Sequence, residues 1–206
     1  MPPSVLASIA WQVASGLAYL HGVCHRCHRD IKPQNILINL CGEVKIADVG
    51  VASTELENTM ADMSTFCGTV HYMAPERLRG EHYSYPSDMW SVGVMLYELT
   101  TGSVPFPTKR GFFDLLKSSA TPSIPPIAVS ADFPWSLVAL ISSCLAKDTS
   151  KRVTAAEMVT HPFLAHAPAP ASSKATPLAV TSESAAAVVK RWFSAVSATP
   201  QGTQEV

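Results

Sequence analysis

The stretch from Asp88 to Thr100 constrains the fold most, because almost every position in it is apolar and Glu98 is its only internal charge. Its apolar side chains are Met89, Trp90, Val92, Val94, Met95, Leu96, Tyr97 and Leu99. A helix that is apolar on nearly all sides, yet shorter than the roughly 20 residues that span a bilayer, belongs in the middle of a core. The chain has 206 residues, of which 47% are hydrophobic, so it contains enough apolar material to surround such a helix.

Several further elements follow from periodicity. Apolar residues at three- and four-residue spacing predict an amphipathic helix that begins with Ser4 as N-cap and stops at Gly22. The runs Ile36–Ile38 and Val44–Ile46 flank a glycine-containing turn and predict a small hairpin. Residues 49–80 show no sustained period and are predicted as a long loop, and three more helices are predicted over 110–118, 135–146 and 154–160.

Composition and charge narrow the class of protein. Fifteen Lys and Arg balance sixteen Asp and Glu, so no basic surface indicates nucleic acid or an anionic membrane as a partner. No run is long enough to span a bilayer, and five cysteines do not form a disulfide framework, so we expect a reducing, cytoplasmic location. We predict one domain over 1–165, then an Ala/Pro/Ser-rich linker and tail over 166–206 with a short helix at 183–197.

The chemistry is concentrated in the segment from His28 to Asn35 and in Asp48, which follows the predicted hairpin. Phosphoryl transfer needs positioning and charge neutralisation more than covalent help. The Asp30 carboxylate can accept the proton of an attacking hydroxyl, while Asn35 and Asp48 offer the oxygen ligands that Mg²⁺ prefers. The hairpin between them folds the chain back so that both ends can reach one site.

In these segments the chain resembles the eukaryotic protein kinases. His28-Arg29-Asp30 with Asn35 is similar to the catalytic loop, and Asp48-Val49-Gly50 is similar to the magnesium motif. Further along, Ala74-Pro75-Glu76 resembles the end of the activation segment, and Asp88-Met89-Trp90 resembles the start of the buried helix under the catalytic loop. The resemblance implies a mainly helical (α+β) C-terminal kinase lobe with a small β-hairpin, and the cofactors ATP and Mg²⁺.

The resemblance also implies a role for each matching position. Asp30 would be the catalytic base, Lys32 would steady the transferred phosphate, and Thr69 would bridge these two residues. The positions implied to bind ATP and its metal are Lys32, Asn35, Leu37 and Asp48, with Asn35 and Asp48 holding Mg²⁺. Structural roles are implied for Asp88, which would hold the catalytic-loop backbone, and for Glu76 paired with Arg152.

Within the family, the stretch from Ser64 to Leu78 is most similar to the MAP kinase kinases. That similarity implies a Ser/Thr or dual-specificity kinase in signal transduction, with a MAP kinase as protein substrate and an upstream activating kinase as partner. Thr59 and Thr65 have the spacing of two activating phosphorylation sites, and Ser64 is a neighbouring candidate. Arg29, next to Asp30, would pair with the added phosphate.

Two departures from the family pattern leave an alternative open. These residues contain no glycine-rich loop, no strand Lys and no partner Glu before the catalytic loop, so we expect only the C-terminal lobe and little or no activity from this chain alone. Val49 stands where the family usually has Phe or Leu. The alternative function is a truncated, catalytically inactive binding module.

The string Cys24-His25-Arg26-Cys27-His28 is a third departure, because it spells the signature of covalent haem attachment and also suggests a Cys/His metal cluster. His28 already belongs to the catalytic-loop motif, and no second ligand pair follows at zinc-finger spacing. We therefore favour an extra residue before the catalytic loop over a haem or zinc site.

Overall fold

The structure is a computed structural model that describes residues 1–48, 69–106, 124–130 and 133–165. Its helices and strands, in chain order, are α1 (Pro3–Gly22), β1 (Ile36–Ile38), β2 (Val44–Ile46), α2 (Pro75–Leu78), α3 (Tyr85–Thr101), α4 (Trp135–Cys144) and α5 (Ala155–Val159). Short 3-10 helices lie at Pro33–Asn35, Thr69–Tyr72 and Thr149–Lys151. Helices with one small two-stranded sheet are therefore confirmed as the architecture.

Helix α1 packs its apolar face against β2, α3 and α5. The predicted end at Gly22 is confirmed, but the predicted N-cap at Ser4 is wrong, because Pro2 is the N-cap and Pro3 opens the helix. Proline fits the first turn of a helix, where its fixed φ suits the geometry and its missing N–H has no partner to lose. Ser4 instead lies inside the first turn, where its carbonyl oxygen accepts from the hydroxyl of Ser8.

The hairpin is confirmed with both strands at their predicted limits, paired antiparallel with Ile36 opposite Ile46. The Asn39 side-chain oxygen closes the turn by accepting from the backbone N–H groups of Cys41 and Glu43, each at 2.9 Å. Gly42 occupies the turn at φ 79°, a left-handed conformation that glycine adopts without steric cost. Gln12 ties α1 to the hairpin, because its amide oxygen accepts from the N–H of Val44 at 2.9 Å.

Helix α3 lies in the core, as its apolar sequence predicts, and Trp90, Met95 and Leu96 are fully buried. It begins three residues before the predicted start, at Tyr85, with Pro86 in its first turn, and Gly102 caps it at φ 78°. Gly93 allows α4 to approach closely, because a Cβ there would lie only 2.7 Å from the Cβ of Cys144. A larger residue at this position would push the two helices apart.

The remaining predicted elements have mixed outcomes. Helices α4 and α5 lie within the predicted ranges 135–146 and 154–160, whereas the predicted helix at 110–118 falls outside the described residues. The long loop predicted over 49–80 is wrong for its last part, because a 3-10 helix and α2 lie there and Pro75 opens α2. Residues 166–206, with the predicted helix at 183–197, also lie outside the described part. No helix of the described residues is long and apolar enough to cross a membrane.

Candidate active site

Two polar side chains, those of Asn35 and Lys32, contact Asp30 in the loop before β1. The amide nitrogen of Asn35 donates to the Oδ2 atom of Asp30 at 2.8 Å and to its backbone oxygen at 2.7 Å. The Lys32 ammonium lies 2.7 Å from the same Oδ2 atom. Pro33 opens the 3-10 helix that ends at Asn35, and this tight turn brings Asn35 back onto Asp30. The carboxylate is therefore held in place while part of it stays accessible.

His28 joins this loop to the end of the hairpin. Its ring is buried, and Nε2 lies 2.8 Å from the backbone oxygen of Ala47. Nδ1 lies 3.3 Å from the backbone N–H of Asp30, which donates to it. A neutral ring that donates through Nε2 and accepts at Nδ1 satisfies both contacts. The imidazole thus fixes the start of the segment that contains Asp30 relative to the residue before Asp48.

A backbone hydrogen bond joins the residue before Asp48 to Asn35. The N–H of Ala47 donates to the oxygen of Asn35 at 2.8 Å, so Asp48 follows directly after the residue bonded to Asn35. Asp48 is exposed and has a φ of 60°, which is unusual for a residue other than glycine and common at functional sites. Leu37, from the middle of β1, is 55% exposed.

Asp88, at the start of α3, accepts hydrogen bonds from four groups. Oδ2 accepts from the N–H of His28 at 2.8 Å and lies 2.8 Å from Nε2 of His21. Oδ1 accepts from the N–H of Arg29 at 2.9 Å and from the hydroxyl of Tyr83 at 2.6 Å. The carboxylate is fully buried, and these donors compensate its removal from water. Asp88 therefore fixes the backbone immediately before Asp30.

Sequence reasoning missed two of these partners, His21 and Tyr83. His21 lies 67 positions before Asp88 on another helix, and no periodicity or motif marks it. Tyr83 stands only five positions before Asp88, but it looks like an ordinary loop aromatic. Burial and the Asp88 carboxylate raise the pKa of Tyr83 well above its usual value, so its hydroxyl stays a donor.

Arg29 has a strained backbone, with a φ of 75°, and its N–H bond to Asp88 holds it there. Its guanidinium lies 6.0 Å from the centre of the Tyr83 ring, and that of Arg77 lies 5.4 Å from the same ring. Cys27, just before this segment, is half-buried, and burial followed by the nearby Asp88 carboxylate raises the pKa of its thiol to about 11. The thiol is therefore protonated at neutral pH and a weak nucleophile.

Glu76 and Arg152 form a buried ion pair between α2 and the segment before α5. The Nη1 to Oε1 distance is 2.7 Å and the Nη2 to Oε2 distance is 3.1 Å, a two-pronged contact. Arg152 also donates to the backbone oxygens of Pro86 and Ala146, and the Ser87 hydroxyl donates to Glu76. Burial opposes ionisation of Glu76, but the Arg152 bonds and charge outweigh it and lower the pKa of this carboxyl below its usual value.

Thr59, Ser64 and Thr65 lie outside the described residues, as does Val49. Thr69 begins a 3-10 helix that ends at Tyr72.

The donor chemistry of the site fits Mg²⁺. The Asn35 amide nitrogen is committed to Asp30, which leaves the amide oxygen as a ligand, and the exposed Asp48 carboxylate follows directly after the residue whose N–H is bonded to Asn35. By contrast, His, Cys, Asp and Glu side chains nowhere gather in threes to hold a metal within the described ranges. Cys24 and Cys27 are free thiols, and His25 between them adopts a φ of 53°.

A scan against protein-family models matches residues 1–164 to the protein kinase domain. The chain belongs to the protein kinase family. The match covers all the described elements of the fold, from α1 to α5.

The comparison with curated proteins finds MAP kinase kinases among the relatives of this chain. It is 47% identical over 165 residues to mitogen-activated protein kinase kinase 3 of Arabidopsis thaliana, covering 80% of this chain and 31% of that protein. It is 44% identical over 177 residues to mitogen-activated protein kinase kinase 5 of Leishmania mexicana, covering 80% of this chain and 32% of that protein. It is 44% identical over 170 residues to mitogen-activated protein kinase kinase 2 of Arabidopsis thaliana, covering 80% of this chain and 46% of that protein. The chain thus spans less than half the length of these relatives.

Proposed function

We propose that this kinase chain carries the catalytic residues of a MAP kinase kinase, which transfers the γ-phosphate of ATP to hydroxyl groups of a protein substrate. The observation that carries the proposal is the cluster in which Asn35 and Lys32 both contact Oδ2 of Asp30. Such an arrangement suits phosphoryl transfer, where positioning and electrostatic stabilisation do most of the work.

Asp30 is the proposed catalytic base. Its Oδ2 atom is occupied by Asn35 and Lys32, and these contacts orient the carboxylate toward an incoming hydroxyl. The carboxylate accepts the hydroxyl proton as the oxygen attacks phosphorus. Lys32 lies beside this base with its ammonium partly exposed, and from there it stabilises the negative charge of the transferred phosphate. Thr69, which opens the 3-10 helix near the end of the activation segment, is proposed to bridge Asp30 and Lys32.

Asn35 and Asp48 are the proposed metal ligands, and Leu37 is the proposed floor under the adenine ring. The Ala47 to Asn35 backbone bond and the buried His28 ring hold the two ligand positions together. The Leu37 side chain is largely exposed, as a surface that meets a flat ring requires. When bound, Mg²⁺ would neutralise charge on the ATP phosphates.

The names of the relatives support a proposal for the substrate and the activator. Five relatives, including the three described above, carry the name mitogen-activated protein kinase kinase. We therefore propose a MAP kinase as substrate, phosphorylated on Thr and Tyr. We also propose an upstream kinase that phosphorylates Thr65, with Thr59 and Ser64 as further sites, and a cytoplasmic location. Arg29 supports this regulation because it directly precedes Asp30 in the chain. A phosphate paired with the Arg29 guanidinium would therefore act next to the proposed base.

The test uses the protein purified from the cells that make it, with labelled Mg-ATP and a MAP kinase inactivated at its own active site. Asp30→Asn should reduce phosphate transfer by about 100-fold or more, because the base is lost while the shape is kept. Glu81→Gln, an exposed carboxylate paired with Arg79, is the matched control and should retain activity. Equal activity of Asp30→Asn and the native protein would reject the proposal.

The regulatory proposal has its own measurement. Phosphopeptide mass spectrometry of the active protein should find phosphate on Thr65, and Thr65→Ala should lower activity without changing the thermal unfolding temperature. Active protein that carries no phosphate anywhere between residues 53 and 69 would exclude this form of regulation.

A binding module is the second candidate function. This candidate concerns the 206 residues by themselves, which contain no glycine-rich loop and no strand Lys before Asp30. We expect the chain tested by itself to bind a MAP kinase without phosphorylating it. Phosphate transfer by the isolated chain that Asp30→Asn abolishes would exclude this candidate.

A further inference from the structure

A cavity of about 230 Å³ lies where the end of α1, the beginning of α3 and the beginning of α5 meet. Small residues create this space, because Ala18 and Gly22 line it from α1 while Ala155 and Ala156 line it from α5. A Cβ at Gly22 would meet no heavy atom within 4 Å, so the wall is open on that side. The cavity lies apart from Asp30 and Asp48, which do not line it.

The polar groups around the cavity exclude a charged ligand. Among the described residues that line it, Arg152 is the one Lys, Arg, Asp or Glu, and its guanidinium is already bonded to Glu76 and to the backbone oxygen of Pro86. The Thr154 hydroxyl, also in the lining, is engaged with the Glu157 carboxylate. Burying an ion here would leave it without a partner of opposite charge, which costs far more than apolar contact returns.

One wall of the cavity is aromatic and includes the His21 and Tyr85 rings. The Tyr85 ring stacks on the His21 ring with 4.6 Å between centroids and 20° between planes. His21 contacts the Asp88 carboxylate through Nε2, so Nδ1 is the ring nitrogen left for a ligand, and in the tautomer that donates through Nε2 it is an acceptor. No hydrogen bond to this Nδ1 atom is found in the part of the chain that the structure describes.

We propose that this cavity binds a small, uncharged aromatic molecule of one or two rings that carries one N–H or O–H donor. Apolar cavities of comparable volume accept ligands such as benzene, so the space suffices for one flat molecule. The ring packs against the alanine walls and the Tyr85 and His21 pair, and its donor binds Nδ1 of His21. The proposal does not depend on phosphoryl transfer by this chain.

The site is connected to the catalytic loop through one residue. His21 lines the cavity and contacts Oδ2 of Asp88, the same atom that accepts from the backbone N–H of His28. A molecule bonded to His21 therefore changes the electron density at Oδ2 of Asp88, and with it the hydrogen bond from the backbone N–H of His28. The backbone amide signal of His28 is an indicator of binding that a nonspecific surface contact would not move.

The test titrates the 206-residue chain, labelled with ¹⁵N, with indole as the probe and 1-methylindole as its donor-free match. We expect indole to bind with a Kd of roughly 1 mM or tighter, as its size allows, and to shift the amide signals of Gly22, Ala156 and His28. Loss of the donor should weaken binding roughly 2- to 10-fold in 1-methylindole, the contribution of one hydrogen bond.

Cavity-filling variants decide whether the binding occurs here. Ala156→Leu and Ala18→Leu fill the space from opposite walls, and both should abolish the indole-induced shifts. Ala139→Leu on α4, which does not line the cavity, is the matched control and should bind indole as the native chain does. Thermal unfolding of each variant confirms that it is folded. Absence of shifts at the solubility limit of indole, or binding that survives in both filled variants, would overturn the proposal.

Discussion

Two ion pairs in this molecule have the same length and different surroundings. Lys32 and Asp30 lie 2.7 Å apart with side chains 20% and 29% exposed. Arg152 and Glu76 also lie 2.7 Å apart, but their side chains are 0% and 3% exposed. The first pair joins positions two apart in a loop, whereas the second joins positions 76 apart. Distance alone therefore does not indicate what an ion pair contributes.

The two ion pairs differ in the hydrogen bonds that surround them and in their access to water. The buried pair is surrounded by further bonds, from Ser87 to Glu76 and from Arg152 to two backbone oxygens, so neither charge is left unpaired. It holds α2 against the segment before α5. The pair at Asp30 keeps water access, which suits the proposed role of Asp30 as a base that receives a proton. We expect the buried pair to control stability and the partly exposed pair to control chemistry.

The largest effect on stability should come from Arg152→Ala. Removing the guanidinium leaves the Glu76 carboxylate buried without its partner, which should lower the free energy of unfolding by about 3–5 kcal/mol. Urea unfolding followed by circular dichroism measures this change. Arg79→Ala is the matched control, because its pair with Glu81 is largely exposed and should contribute only about 0–1 kcal/mol. Equal losses in the two variants would contradict the assigned role of burial.

The second effect is a dependence of stability on pH. Because Arg152 lowers the pKa of Glu76 in the folded chain, the unfolded chain binds a proton on this residue at higher pH than the folded chain does. Stability from this group is therefore fully present above the unfolded glutamate pKa of about 4.3 and is lost as the pH falls through the lower folded value.

Glu76→Gln isolates this contribution. The native chain should lose unfolding free energy more steeply than Glu76→Gln as the pH falls below about 5, because the variant has no carboxyl to protonate at this position. Urea midpoints measured at a series of pH values test the difference. The same slope in both proteins would show that Glu76 is not the group responsible.

Sequence patterns predicted the architecture because each element is encoded locally. The apolar run in α3, the helical spacing in α1 and the two strands around Gly42 all specify elements within a few residues. The errors also have local causes, because prolines begin the helices where patterns placed other boundaries. Helix α1 begins at Pro3, so Ser4 is not its N-cap, and helix α2 begins at Pro75 inside a predicted loop.

The candidate site was predictable only in part. Asp30 and Asn35 stand in one short segment, so their spacing indicated a shared site. His21 could not be predicted, because its contact with Asp88 forms only when α1 and α3 pack together. The strained backbone of Arg29 is likewise a tertiary feature, because the Asp88 carboxylate from another helix maintains it. Contacts across elements depend on packing, and apart from those that the family resemblance implied, such as Glu76 with Arg152, no pattern in the sequence indicated them.

Tyr83→Phe should have a moderate effect. The change removes one of the donors to Asp88 and keeps the ring beneath Arg29 and Arg77, so the free energy of unfolding should fall by about 1 kcal/mol. Urea unfolding measures the loss, and Tyr19→Phe is the control, because Tyr19 is 61% exposed. A loss in Tyr83→Phe no greater than in Tyr19→Phe would show that the remaining donors satisfy Asp88 fully.

The smallest effect on stability should come from Lys32→Ala, although it alters the proposed site directly. Its pair with Asp30 is partly exposed, so the free energy of unfolding should change by only about 0–1 kcal/mol. Phosphate transfer by the protein purified from its cells should nevertheless fall by about 100-fold, because the transferred phosphate loses a positive charge. Urea unfolding and a labelled-ATP assay on the same preparation measure both quantities. A loss of stability as large as that of Arg152→Ala would mean that Lys32 supports the fold, and the contrast between the two ion pairs would then fail.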